Sequence, residues 1–348
     1  MEFLCYFGNI IHSMVLVTGA TGFVGSHLLF YLLGKDVRIR ALYRQKKSIE
    51  KVRNLFSLYH PTPQKLLDRI EWIPADITDI SSLEQVLENI DKIYHLAAVV
   101  DFSSVSKNSL YQVNVEGTKN LLTLATEKKI KKFFYMSSIA SLGSYDQPIT
   151  EKTFWNWKEK GSSYAKTKFL AEMEVWRASQ EGLDVVIGNP SIILGAGFWH
   201  EGTGKIFDKV YKGLKFYPSG ANAFIDVWDV VKASYLLMES KYVNESFILS
   251  SQNLSYKRLL EMIAQNFKVE APSIALKKWM FYPIFPVNFV LKNLLKVSPV
   301  IDTDLINPLF SEKKYSNKKF RDTFDFQFIP MDITIQNICN KYLQSRKL

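Results

Sequence analysis

Tyr164 and Lys168 stand one helical turn apart in the run Tyr164-Ala-Lys-Thr-Lys168, a spacing that puts both side chains on one face of a helix. A phenol with an ordinary pKa of about 10 exchanges its proton poorly at neutral pH. A neighbouring ammonium favours the phenolate and is expected to lower that pKa, which makes Tyr164 a usable acid or base. A tyrosine and a lysine at this spacing are common by chance, so the pair gains meaning from what precedes it. Upstream lies Phe134-Tyr-Met-Ser-Ser138, a strand-like run that ends in hydroxyls.

A second chemical signal lies near the N-terminus. The run Thr18-Gly-Ala-Thr-Gly-Phe-Val-Gly-Ser26 follows a β-branched segment and opens an apolar helical one, with Gly19, Gly22 and Gly25 at three-residue intervals. Glycines permit a tight turn and let backbone approach a pyrophosphate, while the helix start presents N–H groups and a positive dipole end to it. The spacing departs from G-x-G-x-x-G, but its position at the head of a β-α-β series predicts a dinucleotide held by Gly19, Thr21, Gly22, Phe23 and Val24.

The next strand should end beside the adenosine ribose, where an acid selects NAD and a base selects NADP. It ends Ala41-Leu-Tyr-Arg-Gln-Lys-Lys-Ser48 with no carboxylate, so Arg44 with Lys46 or Lys47 predicts NADP(H), with NAD(H) as second choice. By position, Asp76 and Ile77 are expected to meet the adenine. Leu96, Ala97 and Ala98 are expected to run under the ribose, and His95 reads equally well as a satisfied core histidine.

These residues need a scaffold, and the chain supplies one. Short apolar runs at Val15 to Thr18, Val37 to Tyr43, Ile70 to Ile73, Lys92 to Leu96, Lys132 to Ser137 and Asp184 to Asn189 alternate with helical stretches. The helices are expected at Ser26 to Leu33 with Gly34 as stop, Ser82 to Asn89, Leu110 to Glu127 and Tyr164 to Gln180. This succession predicts an α/β fold, a Rossmann-type doubly wound parallel sheet with a smaller, mainly helical C-terminal substrate-binding part. Residues 14–189 form the expected dinucleotide-binding domain, with returns to the main sheet at about 222–250, read from Phe224 to Val230 and Ser246 to Leu249. Residues 190–221 and 251–348 are the expected substrate-binding part, and 1–13 an N-terminal extension. Trp279 to Leu295, broken by Pro283, Pro286 and Lys292, reads as a wall over an apolar substrate rather than a membrane span.

Composition narrows the function classes. At 348 residues and 47% hydrophobic the chain can bury a large core. Its two cysteines, Cys5 and Cys339, form no C-x-x-C pair and suggest a reducing, cytoplasmic setting. The five histidines do not group with acids or cysteines at ligand spacing, so no metal site is predicted. The net charge of +10 comes with short clusters such as Lys128-Lys129-Ile130-Lys131-Lys132 and Lys313-Lys314, which read as solvated faces or as attraction to anions. No nucleic-acid motif accompanies them, no transmembrane segment is expected, and peripheral membrane contact is not expected.

Together the motifs resemble the extended short-chain dehydrogenase/reductase superfamily, which includes NAD-dependent epimerases and dehydratases. The resemblance runs from T-G-x-x-G-x-x-G at Thr18 to Gly25 through Asp76-Ile77, His95-Leu-Ala-Ala98, Asn114-Val-Glu-Gly-Thr-Lys-Asn120, Ser137-Ser138, Tyr164 to Lys168, and Asn189-Pro190-Ser191. It implies Tyr164 as proton donor or acceptor, Lys168 as the group that tunes it and binds the nicotinamide ribose, and Ser138 as the hydroxyl that orients the substrate oxygen. It places Asn189, Ser191 and Ile192 by the nicotinamide and makes a homodimer plausible. Val37 to Arg44, Asp101-Phe102 and Asn189-Pro190 look most like the dihydroflavonol reductase, cinnamoyl-CoA reductase and 3β-hydroxysteroid dehydrogenase branch. Hydride transfer to a small apolar or aromatic carbonyl is therefore the expected activity. The alternatives are a nucleotide-sugar epimerase or dehydratase and a non-catalytic NADP-sensing protein.

Overall fold

The computed structural model describes residues 13–100, 107–143, 148–158, 161–281 and 306–346. The N-terminal extension apart from Ser13, Asp101-Phe102 and the stretch 282–295 of the expected substrate wall lie outside the described residues.

The first half alternates strand and helix. In chain order it runs β1 Met14–Thr18, α1 Phe23–Leu32, β2 Arg38–Tyr43, α2 Ile49–Ser57, α3 Pro63–Leu67, β3 Ile70–Pro74, α4 Ile80–Glu84, β4 Lys92–His95, α5 Lys107–Tyr111, α6 Gly117–Glu127 and β5 Lys132–Met136. There follow α7 Ser163–Gln180, β6 Val185–Pro190, β7 Ile192–Leu194, α8 Gly204–Tyr211, β8 Phe216–Tyr217, β9 Ala221–Asp226, α9 Val227–Glu239 and β10 Glu245–Leu249. The chain ends with β11 Gln252–Ser255, α10 Tyr256–Phe267, β12 Ile274–Ala275, α11 Lys318–Phe324 and α12 Met331–Ser345.

Seven strands form one sheet in the order β3-β2-β1-β4-β5-β6-β10, and every pairing in it is parallel. The order reverses between β1 and β4, so a crevice opens there at the carboxyl ends of the strands. Every residue of β1, β5 and β6 is buried, as expected for strands covered on both faces. Alternation sorts their side chains into two cores. Val15, Val17, Phe134 and Met136 join Leu28 and Leu29 of α1 with Val230 of α9. Leu16, Phe133 and Tyr135 join Leu121 of α6 with Ala171 and Val175 of α7.

The C-terminal part is built on a three-stranded sheet, β11-β9-β7. It packs beneath Phe207 of α8, Leu259 and Ile263 of α10, and Met331 and Ile335 of α12.

Three expectations are corrected. Ser246 to Leu249 does return to the main sheet, but Phe224 to Val230 does not. The edge of β6 is taken by β10, β9 pairs with β7 and β11, and Asp226 starts α9 by accepting a hydrogen bond from Trp228 N at 2.8 Å. The helix expected over Ser82 to Asn89 is shorter and earlier. Asp79 caps it by accepting from Ser81 N at 3.1 Å, and turns ending at Asn89, with φ of 59°, replace its second half. The helix expected over Leu110 to Glu127 is interrupted by a π turn at Gln112–Glu116.

Candidate active site

The glycine turn sits where β1 delivers it, beside the end of β4. Gly19 has a φ of +66°, and a Cβ there would lie 2.6 Å from Ala97 N. At Gly25 a Cβ would lie 2.1 Å from Gly19 O. Both positions therefore require glycine, one for conformation and the other for close approach. Gly22 begins α1 without a side-chain cap, so the amides of the first turn carry the positive dipole end with no side-chain oxygen quenching it. Thr21 and Val24 are half-buried, and the Phe23 ring turns inward, edge-on to His27 and Phe198.

Arg44 and Lys47 are exposed just past β2, and neither pairs with an acid among the described residues. Asp76 beyond β3 is half-buried and uses Oδ1 to accept from Thr78 N at 2.9 Å and Thr78 Oγ at 2.8 Å. Ile77 is buried against Gly117, where a Cβ would come within 2.7 Å of its side chain. Leu96, Ala97 and Ala98 are half-buried along the mouth of the crevice. His95 is buried between two threonine hydroxyls, with Nδ1 2.7 Å from Thr18 Oγ and Nε2 2.9 Å from Thr118 Oγ. It is a satisfied core histidine.

Helix α7 starts at Ser162, whose hydroxyl caps it by accepting from Ala165 N at 3.1 Å. The cap puts Tyr164 in the first turn and sends Tyr164, Lys168 and Glu172 down one face at four-residue steps. Ser138 follows β5, its Oγ accepting from Ala140 N at 3.1 Å and lying near enough to the Tyr164 phenol to act on its pKa. Burial pushes the Tyr164 phenol up to about 12, and the Ser138 hydroxyl opposes that rise. The expected lowering is thus reversed: desolvation of the phenolate wins.

The reason lies in what the lysine faces. Lys168 is buried, and its Nζ donates to Tyr135 Oη at 2.8 Å and to Met136 O at 2.7 Å, both on β5. Burial lowers its pKa to about 7, with the Glu172 carboxylate opposing. Its charge at neutral pH is therefore partial, and part of it is spent on the strand.

Sequence reasoning missed Glu172. It is buried, and its Oε2 accepts from Ser137 Oγ at 2.7 Å, Ser141 Oγ at 2.8 Å and Asn189 Nδ2 at 3.0 Å. Its one signal was the step of four after Lys168. Asn114 was read only as part of a motif. In the π turn its Oδ1 accepts from Val99 N at 2.7 Å and its Nδ2 donates to Val99 O and Thr167 Oγ, both at 3.1 Å.

At the end of β6, Asn189 Oδ1 and Ser191 Oγ are buried without a hydrogen-bond partner among the described residues, while Ile192 is half-buried beside them. A buried polar atom left unpaired is costly. Two of them at the carboxyl edge fit a cofactor with its own donors and acceptors, such as the carboxamide of a nicotinamide. With the uncapped glycine turn, the residues fit a dinucleotide at both ends.

Comparison with known proteins agrees. The model of the NAD dependent epimerase/dehydratase family matches residues 15–249. The chain belongs to that family. It is an enzyme of the extended short-chain dehydrogenase type. It is 27% identical over 321 residues to a putative dihydroflavonol 4-reductase of Synechocystis sp., covering 87% of each chain. To cinnamoyl-CoA reductase 1 of Petunia hybrida it is 25% identical over 338 residues, covering 92% of this chain and 89% of the other. Among solved structures, gox2253 superposes with a TM-score of 0.78 at 25% identity, covering 96% of this chain and 98% of the other. Among the described residues no helix is long and apolar enough to cross a membrane.

Proposed function

We propose that the protein is an NADP(H)-dependent reductase that moves a hydride between the nicotinamide and a carbonyl or alcohol carbon of an apolar or aromatic substrate. The observation that carries this reading is the nearness of the Ser138 hydroxyl to the Tyr164 phenol at the carboxyl edge, one helical turn from a buried Lys168. The bound cofactor supplies the hydride. Ser138 orients the substrate oxygen, and Tyr164 delivers a proton to that oxygen as charge develops on it. A phenol with its pKa pushed up to about 12 holds its proton at neutral pH, which suits reduction better than oxidation. In this reading Lys168 and the Ser191 hydroxyl would hold the nicotinamide riboside, and Asn189 the edge of its ring. Arg44 and Lys47, exposed and unpaired with acids among the described residues, suit the ribose 2′-phosphate.

An aromatic or apolar substrate is favoured by the segment that leads into α7. Phe154 and Trp157 are 85% and 63% exposed, and Trp155 stacks on Phe169 at 5.0 Å. The names of the two relatives support the same substrate class.

The test is to follow NADPH absorbance with purified protein across aromatic aldehydes, flavanonols, ketosteroids, acyl-CoAs and UDP-sugars. Net oxidation with an apolar carbonyl supports the proposal. Conversion of a UDP-sugar without net cofactor change would instead establish an epimerase or dehydratase.

A further inference from the structure

Strand register sets Thr18, His95 and Tyr135 side by side on three neighbouring strands, Thr18 opposite His95 and His95 opposite Tyr135. All three are buried, so each polar hydrogen needs a defined acceptor, and the geometry assigns them one by one. Thr118 Oγ donates to Asn114 O at 2.7 Å. With that hydrogen spent, His95 Nε2 at 2.9 Å must be the donor to Thr118 Oγ. His95 is then the Nε2–H tautomer, and its Nδ1 accepts from Thr18 Oγ at 2.7 Å, which itself accepts from Ala97 N at 3.2 Å. Burial, helped by the charge of Lys168, lowers the His95 pKa to about 3, consistent with a neutral ring. On the next strand the Tyr135 ring stacks on His95 with ring centres 5.7 Å apart. The Tyr135 oxygen accepts from Lys168 Nζ at 2.8 Å. No donor in the chain faces another donor.

We propose that Tyr135 is a positioning residue for the Lys168 ammonium, its ring braced against the neutral His95 and its oxygen turned to accept from Lys168 Nζ. The proposal rests on the reading of Lys168 as a partner of Tyr164. Sequence shows only a tyrosine two residues before Ser137; what identifies it is the register that brings its hydroxyl against the lysine.

The groups facing Lys168 are Tyr164 and Glu172 from its own helix, Tyr135 from β5 and neutral His95 from β4. Of these, Glu172 holds the ammonium by charge and Tyr135 by a direct hydrogen bond. Removing the Tyr135 hydroxyl leaves the desolvated ammonium one oxygen fewer, so the neutral amine gains ground.

The experiment is a pH titration of the Lys168 side-chain NMR signal in full-length protein carrying isotope-labelled lysine, the signal assigned by its loss in Lys168→Met. The wild-type midpoint is expected near 7, and Tyr135→Phe should lower it by about one unit. A wild-type midpoint in Tyr135→Phe overturns the proposal. If that variant does not fold, an unmoved midpoint in Tyr135→Leu overturns it equally. Full turnover by Tyr164→Phe would remove the catalytic reading and leave the midpoint result standing, so the two failures are distinct.

Discussion

Glu172 Oε2 lies 3.0 Å from Asn189 Nδ2 and joins α7, which carries Tyr164 and Lys168, to the end of β6. The same oxygen takes the hydroxyls of Ser137 and Ser141, the residues that bracket Ser138. One buried carboxylate oxygen thus fixes the loop, the helix and the strand that compose the site.

Glu172→Gln keeps the shape and removes the charge. Three charge-assisted hydrogen bonds become neutral, and Asn189 Nδ2 loses one of its acceptors wherever the new amide nitrogen faces it. The expected cost is about 1.5–3 kcal/mol, read as an earlier urea midpoint with unchanged slope. An unchanged midpoint would show that the carboxylate does not bind the elements together.

Gly25→Ala tests the turn. The added methyl would sit 2.1 Å from Gly19 O, backbone that cannot swing aside, so the turn must open. The expected result is an NADPH dissociation constant raised about tenfold or more, measured by cofactor fluorescence. Wild-type affinity would separate the turn from cofactor binding.

Arg44→Ala tests cofactor choice. Losing one charge-assisted contact to a phosphate costs about 1.5–3 kcal/mol, so NADPH binding should weaken at least about tenfold while NADH binding changes little. Equal losses for both cofactors would contradict the assignment.

Asp229 gives a pH signature. Burial raises its carboxyl from 3.8 to about 7, although Ile329 N donates to its Oδ2 at 2.7 Å. Between those values the folded protein binds a proton that the unfolded chain does not. The stabilising contribution is therefore complete below the unfolded pKa and is lost as pH rises through the folded one. Asp229→Asn has nothing to titrate. Its thermal midpoint should gain on the wild type as pH rises from about 4 to about 8, and parallel curves would refute the shift.

Much of this was legible in the sequence, for physical reasons. β1 and β5 are continuous apolar runs because they are covered on both faces, and the glycine turn is fixed by contacts a side chain would break. Phe224 to Val230 was misread because a strand of the small sheet and a strand of the large one have the same local pattern. Only the place already filled by β10 excludes it. Tyr135 and Glu172 were invisible as site residues because their role depends on strand register and helix phase together. Tyr164 and Lys168 were singled out by spacing, but the direction of the phenol's shift was not legible, since burial is set by the whole fold.

The central claim is that the Tyr164 hydroxyl is the proton donor. Tyr164→Phe removes one oxygen and leaves α7, its cap and the cofactor contacts in place. With a carbonyl substrate accepted by the wild type, kcat should fall by about 10²–10⁴-fold while NADPH affinity stays the same. Retention of wild-type kcat by that variant would contradict the account.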